Sequence, residues 1–422
     1  MTKNGGPEAH PSRRGFLAVA AGLAVAGPSV AKAAPAPSEP EADPGQKAVE
    51  PFFGLHQGGI TTATQSYTFF AALDLAAKKP GDVVDLLRDW TAAAARLMQG
   101  DTAQPIGSDV STAAPDSGEA LDLGPARLTL TFGFGPGLFV KEGNDRYGWA
   151  ASRPAGLVDL PRFNGDQLQP SHTGGDLSIQ ACADDPQVAF HAVRQLVRLA
   201  YGRAELRWTQ SGFAPTRGKG TPRNLMGFKD GTAQPKNLDT AVWVGDEGAD
   251  WMQGGTYLVV RKIRIALEHW DRTPVDFQEQ VVGRHKYSGA PLGGKDEFDP
   301  LDLTAADADG NPVIPQSAHV RLATAASNDG AQILRRAFSY NDGTNFTAER
   351  WPPWRQGLEY DAGLFFVSYQ RDPRTGFIKI FDKMSKLDMM NQFTTHIGSG
   401  IFACPRGVAE GEFLGERLFR ST

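Results

Sequence analysis

Cysteine is nearly missing from this chain. Cys182 and Cys404 are the two in 422 residues, and neither belongs to a C-x-x-C pair. That argues against a disulfide framework and against a structural zinc site. Positive charge is short as well, with 43 Lys and Arg against 48 Asp and Glu for a net charge of −5. The electrostatic case for a nucleic-acid partner therefore falls away. No nucleophile elbow, P-loop or dinucleotide fingerprint occurs in the sequence. Long hydrophobic runs are scarce too. The apolar stretch Phe16–Val30 is short, rich in Ala and Gly, and broken by Pro28.

What surrounds that stretch gives it a meaning. Ser12-Arg13-Arg14-Gly15-Phe16-Leu17 precedes it as a twin-arginine motif, and Ala31-Lys32-Ala33 follows as an A-x-A cleavage site. Residues 1–33 thus read as a signal for the twin-arginine export machinery, cleaved rather than kept as a membrane anchor. The expected destination is periplasmic or extracellular. Cleavage would remove four basic residues and one acidic one, which takes the net charge from −5 to −8. Residues 34–49, dominated at first by Pro, Ala, Glu and Ser, read as a solvated linker.

Beyond the linker one pattern runs twice. Ser66–Ala77 is β-rich, and Gly81–Met98 has helical spacing through Val84, Leu86, Leu87, Trp90, Ala94 and Leu97. Strands follow at Arg127–Phe134 and Asp176–Ala183, a helix at Pro186–Tyr201 and a strand at Ala204–Trp208. The second pass predicts strands at Gly255–Ile265, Ala331–Ser339, Gly363–Tyr369 and Gly400–Cys404. Its helices are predicted at Ile265–Val282 and Thr375–Ser385. Each pass spells β-α-β-β-α-β, a ferredoxin-like module, which divides the chain into modules at 50–240 and 241–422 within an α+β fold. Long insertions at 135–175 and 286–330 interrupt them. The second is too long for a plain loop in a compact domain, which points to function there.

The densest motif is Met226-Gly227-Phe228-Lys229-Asp230-Gly231-Thr232-Ala233. Glycines on both sides of Asp230 let backbone approach a flat ligand and let the carboxylate face a cavity. A plain Asp-Gly turn is the competing reading. Downstream, Ser317-Ala318-His319-Val320-Arg321-Leu322-Ala323 carries a histidine in a strand-like run. Ile333-Leu334-Arg335-Arg336-Ala337-Phe338-Ser339-Tyr340 then carries an arginine pair in an apolar segment.

Asp, His and Arg in this order, with these flanks, resemble the dye-decolourising (DyP-type) haem peroxidases, and the resemblance extends over nearly the whole chain after the signal. It implies two modules joined in a dimeric α+β barrel-like fold, with haem b (iron protoporphyrin IX) held by the C-terminal one. His319 matches the iron-ligand position; the competing reading is a core histidine satisfied by backbone. Asp230 matches the acid–base group that moves the peroxide proton, and an arginine stabilises charge as the O–O bond breaks. The family's arginine follows two aliphatic residues and precedes an aromatic, which selects Arg335. Arg336 would then face the other way, as a surface or propionate-side residue. Gly231, Thr232 and Ala233 are expected along the porphyrin, His285 at its edge ahead of Arg284, and Phe365 or Phe366 closing the pocket.

Of the other histidines, His56 lies in Gly54-Leu55-His56-Gln57-Gly58-Gly59-Ile60, similar to the family's N-terminal signature. His191 and His269 lie in predicted helices, and His172 and His396 have loop-like contexts with no role attached. Relatives often continue the proximal segment with Asn-Pro-Arg, where this chain has Thr324-Ala325-Ala326. Trp351 and Trp354 are candidate surface relays, with packing the competing reading. The implied activity is reduction of hydrogen peroxide through a ferryl haem, with oxidation of aromatic dyes, phenols or a metal-linked donor. The alternative is a deferrochelatase that extracts iron from haem, and a third reading is a non-catalytic haem carrier.

Overall fold

The computed structural model describes residues 47–216, 220–348 and 356–420. The proposed signal and most of the linker, and Trp351 and Trp354, lie outside the described residues. The N-terminal module supplies β1 (Tyr67–Leu75), β2 (Thr129–Phe134), β3 (Leu177–Ala183) and β4 (Ala204–Phe213). Its two helices, Pro80–Leu97 and Pro186–Leu199, both start at a proline, whose fixed φ suits a first helical turn. The second is also capped by Asp185, whose side chain accepts from the amides of Gln187 (2.7 Å) and Val188 (3.1 Å). The first buries Val83, Leu86, Leu87, Trp90, Ala94 and Leu97, with Val83 rather than Val84 facing the core.

The C-terminal module supplies β5 (Thr256–Ile265), β6 (Leu334–Arg335), β7 (Phe338–Ala348), β8 (Gln356–Gln370) and β9 (Thr394–Cys404). The single helix predicted over 265–282 is two helices, Leu267–Asp271 and Val275–Val282. Pro274 explains the break, since it has no N–H to continue the ladder and clashes with the preceding turn. The strand predicted over 331–339 divides into β6 and β7. His319 does not lie on a strand. It opens a five-residue helix, His319–Ala323, in which the Leu322 amide bonds the Ala318 carbonyl at 3.1 Å. Five alternating residues with no partner strand cannot be told from one helical turn by pattern alone. His396, read as loop, is on β9.

The strands form one sheet in the order β5-β9-β2-β3-β1-β4-β7-β8-β6, and an added β5–β8 pairing closes it into a barrel. Within it, β2-β3-β1-β4 and β9-β5-β8-β7 follow the same ferredoxin-like order. The modules meet at two seams, Phe134 opposite Ala403 and Phe213 opposite Ser339. Side chains alternate across the sheet. Phe70, Ala72, Trp208, Leu258, Val260, Tyr340, Phe365, Val367, Tyr369 and Phe402 pack together as the barrel interior. The opposite face in the N-terminal module is covered by its helices. Among the described residues, no helix is long and apolar enough to cross a membrane.

The Gly54–Ile60 signature holds one seam. His56 stacks on Trp243 with ring centroids 3.6 Å apart, and its Nδ1 lies 2.7 Å from the Gly254 carbonyl. Gln57 donates through Nε2 to the carbonyls of Phe132 (3.0 Å) and Pro405 (2.9 Å) and accepts the Phe132 amide (2.8 Å). Gln57→Leu would leave these buried groups unpaired at similar side-chain volume. The expected loss is about 2–4 kcal/mol in urea unfolding. A loss below about 0.5 kcal/mol would show that the bonds do not hold the seam.

Candidate active site

The outer face of the C-terminal module is hollow where the N-terminal one is filled. A cavity of ≈ 380 Å³ lies against Ile263, Leu364 and Phe366, and Phe377, Ile380, Phe381 and Met384 of the Phe377–Leu387 helix also line it. That size is within the roughly 300–1,000 Å³ of small-molecule sites. Phe366 lines the cavity, whereas Phe365 is wholly buried inside the barrel.

His319 enters at the start of its short helix. Its Nδ1 lies 2.7 Å from Oδ2 of Asp388. Asp388 is itself held in place, since its Oδ1 accepts the Met390 amide at 2.8 Å. A carboxylate accepts, so the Nδ1 proton points at Asp388 and Nε2 keeps its lone pair for another partner. Burial alone would depress the pKa of His319. The charge and hydrogen bond of Asp388 outweigh that and hold it above the ordinary 6.5. A third of the side chain remains accessible, and it lines the cavity.

Asp230 ends a small hairpin in which Arg223 bridges Lys229 and the Asp230 amide bonds the Pro222 carbonyl at 2.8 Å. Gly227 (φ +85°) makes the turn and Gly231 (φ +122°) redirects the chain after Asp230; both dihedrals suit glycine. Arg335 donates from Nη1 to Asp230 Oδ1 at 2.7 Å, and Oδ2 receives a 3.4 Å contact from Asn224 Nδ2. Gln234 stands in for a missing neighbour strand beside β6. Its Oε1 accepts the Arg335 amide (3.0 Å) and its Nε2 donates to the Arg335 carbonyl (2.7 Å). Arg336 turns the other way, away from both the surface and the cavity lining. It is 5 % exposed and donates to the Thr62 carbonyl and to Gln65.

Gly231, Thr232 and Ala233 line the cavity beside Asp230. Thr232 Oγ1 donates to Glu297 (2.9 Å), which also takes Lys229 Nζ. Burial would raise the pKa of Glu297, but hydrogen bonds from Lys229, Thr221 and Thr232 hold it below the usual carboxylate range. The haem-edge expectation for His285 meets a different geometry. Its Nδ1 lies 2.8 Å from Glu279, and the cavity is lined by Arg284 instead. An isolated bridge between Arg284 and Pro291 gives this stretch strand-like alternation, so one neighbour faces in and the other out. Thr324 and Ala325 line the wall near His319 and bring no charge to it.

Four further residues belong to the site: Asp388, Gln234, Glu297 and, on β9, His396. None carries a local motif, because each acts on a partner at least 65 positions away in sequence. Together, an imidazole whose Nε2 has no partner among the described residues, apolar walls and an acid–guanidinium couple fit an iron porphyrin. His191, by contrast, is a buried structural residue between Asp116 and Glu119.

Comparison with known proteins agrees over both modules. The family model "Dyp-type peroxidase, N-terminal" matches residues 57–214, and "Dyp-type peroxidase, C-terminal" matches residues 221–409. A dye-decolorizing peroxidase of Thermobifida fusca is 37% identical over 96% of this chain and 97% of its own. A deferrochelatase of Escherichia coli K12 is 34% identical over 97% of each chain. The crystal structure of a DyP-type peroxidase from Streptomyces coelicolor superposes with a TM-score of 0.80 at 41% identity, covering 89% of this chain and 98% of that one. The chain therefore belongs to the Dyp-type peroxidase family, α+β oxidoreductases with haem as cofactor that use peroxide and an electron donor.

Proposed function

We propose that His319 would hold the iron of haem b through Nε2 and that Asp230 and Arg335 would act on hydrogen peroxide in the same cavity. The observation that carries this reading is the Asp230–Arg335 couple, 2.7 Å apart, in the same cavity as the His319–Asp388 pair. Haem, when bound, supplies the two-electron reduction of peroxide and stores the oxidising equivalents that a donor removes one at a time. The chain's own residues handle the proton and the charge. Arg335 occupies Oδ1 of Asp230, and Oδ2, which takes only a long 3.4 Å contact from Asn224, would accept the peroxide proton and return it to the departing oxygen. The guanidinium cannot lose its proton at working pH, so it stays a donor throughout and steadies the negative charge on that oxygen. Gly231, Thr232 and Ala233, which line the cavity, would lie along the macrocycle.

The donors we propose are aromatic dyes, phenols or a metal-linked reductant, and the route to them is twin-arginine export. Peroxidase chemistry is favoured over iron removal by Asp388. A carboxylate on Nδ1 makes the other ring nitrogen a stronger metal donor, which favours keeping iron rather than releasing it.

Asp230→Asn should slow the reaction with hydrogen peroxide by ~10²–10⁴-fold, and Arg335→Leu by ~10²–10³-fold, in stopped-flow absorbance. Unchanged kinetics in both would remove the proposed roles. A pH experiment tests the ligand. His319 must lose its Nε2 proton to bind iron, and its pKa in the apo-protein is raised. Haem affinity should therefore be full above that pKa and fall as pH drops through it. The protonated imidazole conversely stabilises the apo fold at low pH, a contribution lost as pH rises through the same value. Asp388→Asn removes the cause of the shift, so the fall in haem affinity should move to lower pH. An unmoved midpoint, or haem retention undisturbed in His319→Ala, would refute the assignment.

A further inference from the structure

The cations that line the cavity are already engaged. Arg335 is on Asp230, Lys229 is on Glu297, and Arg284 donates to the carbonyls of Gly289 (2.7 Å) and Glu297 (2.8 Å). His396 differs from all three. It lines the same cavity, and its Nδ1 lies 3.0 Å from Nε of Arg261. A guanidinium has no lone pair to offer, so Arg261 donates and Nδ1 accepts. The ring then carries its one proton on Nε2, which has no partner among the described residues.

The guanidinium that imposes this tautomer is held on every side. Arg261 is fully buried, pairs with the buried Asp166, and donates from Nη1 to Ser399 Oγ at 3.0 Å. The rings of Phe163 and Phe381 lie 5.5 and 5.4 Å from its Cζ. Burying an ion pair is seldom the most stable way to fill a core. This one fixes the orientation and tautomer of the imidazole above it. Burial, followed by the Arg261 charge, pushes the pKa of His396 well below its ordinary value, so the ring stays neutral.

The sheet register places His396 away from the reacting couple. Arg335 is opposite Ser368, which is opposite Val259, whereas His396 is opposite Ile263. From β6 through β8 and β5 to β9 is three strand spacings, roughly 14 Å, and from Val259 to Ile263 is roughly 13 Å along the strand. A group so placed lies well away from the atoms that Arg335 and Asp230 touch, and on a flat cofactor in this cavity it would reach the rim.

We propose that His396 is a cofactor-positioning residue whose Nε2–H donates to a propionate carboxylate at the haem edge. The proposal rests on the haem-peroxidase reading above. Its test compares apo-protein reconstituted with protohaem and with protohaem dimethyl ester, whose carboxylates are blocked, and follows haem loss to excess apomyoglobin at the Soret band. His396→Leu should lose protohaem about tenfold faster than wild type, the scale of a hydrogen bond to a charged group. H396Q, which keeps an N–H donor, should recover most of that difference. With the ester, wild type and H396L should dissociate at rates within about twofold. Equal acceleration with both haems would make His396 a packing residue and overturn the proposal, as would no acceleration with protohaem. Wild type that takes up neither haem would instead overturn the haem reading itself. A second measurement needs no variant. In wild type loaded with zinc protoporphyrin, the His396 Nε2–H proton resonance should lie downfield of its position with the zinc dimethyl ester, and an identical position would overturn the proposal.

Discussion

Eight successive pairs join β5 to β8, from Tyr257 opposite Gln370 to Arg264 opposite Gly363, and this register sorts side chains between two compartments. Leu258, Val260, Phe365, Val367 and Tyr369 go into the barrel, while Ile263, Leu364 and Phe366 floor the cavity. A slip of one residue would exchange the two sets and put aromatic core where the cavity stands. The backbones approach so closely at the end of the pair that a Cβ on Gly363 would lie 2.0 Å from the Ile263 carbonyl oxygen. Arg335 inherits its direction from the same register, since β6 pairs on β8 at Ser368. Leu334 therefore packs against the barrel interior, and Arg335 reaches Asp230 on the other side.

The two modules show how one plan yields a solid body and a hollow one. In the N-terminal module, Leu86, Leu87 and Trp90 of one helix and Val193 and Leu196 of the other fill the space over the sheet, and Trp90 Nε1 bonds the Leu196 carbonyl at 2.8 Å. In the C-terminal module the first helix is broken before Pro274, and the His319 helix enters from the insertion. Close packing of the first kind leaves no room for a ligand. Binding in this fold thus depends on a helix that was interrupted and a loop that was lengthened. The 286–330 insertion supplies both His319 and Glu297.

Much of this was legible in the sequence because it is local or periodic. The β-α-β-β-α-β order and the Asp230 loop with its glycines follow from short stretches, and the preference for Arg335 over Arg336 follows from the family resemblance that its flanks carry. The parts that were not legible depend on distant partners. His285 and Arg284 are neighbours of similar chemistry, and only the bridge to Pro291 shows which one faces in. Gln234 lies 101 positions from the backbone it braces, and Asp388 lies 69 positions from His319. His396 gave no signal at all, since its meaning comes from a buried guanidinium across a strand boundary. Pattern reading finds the groups proposed to do chemistry more readily than the groups that aim them.

The aiming groups decide what the site can do before any ligand arrives. Asp230 and Arg335 would be a poor pair if either had to be assembled on ligand binding, because ordering a long arginine side chain and the loop that carries the aspartate consumes much of what their contact offers. Here the backbone of Arg335 is clamped at both its amide and its carbonyl by Gln234, and the loop after Asp230 is tied through Thr232 to Glu297. In the proposed reaction the ion pair itself need not break for either partner to act. Arg335 uses one of five N–H donors on Asp230, and Asp230 Oδ2, with one long 3.4 Å contact from Asn224, keeps a lone pair for a proton. On the other side, Asp388 sets which nitrogen of His319 is open, as Arg261 does for His396. Two histidines in one cavity are thus given opposite tautomers by a carboxylate and a guanidinium. One presents a lone pair and the other an N–H. That difference, imposed wholly by neighbours, would let a single residue type serve as the proposed metal ligand at one wall and as the proposed hydrogen-bond donor at another.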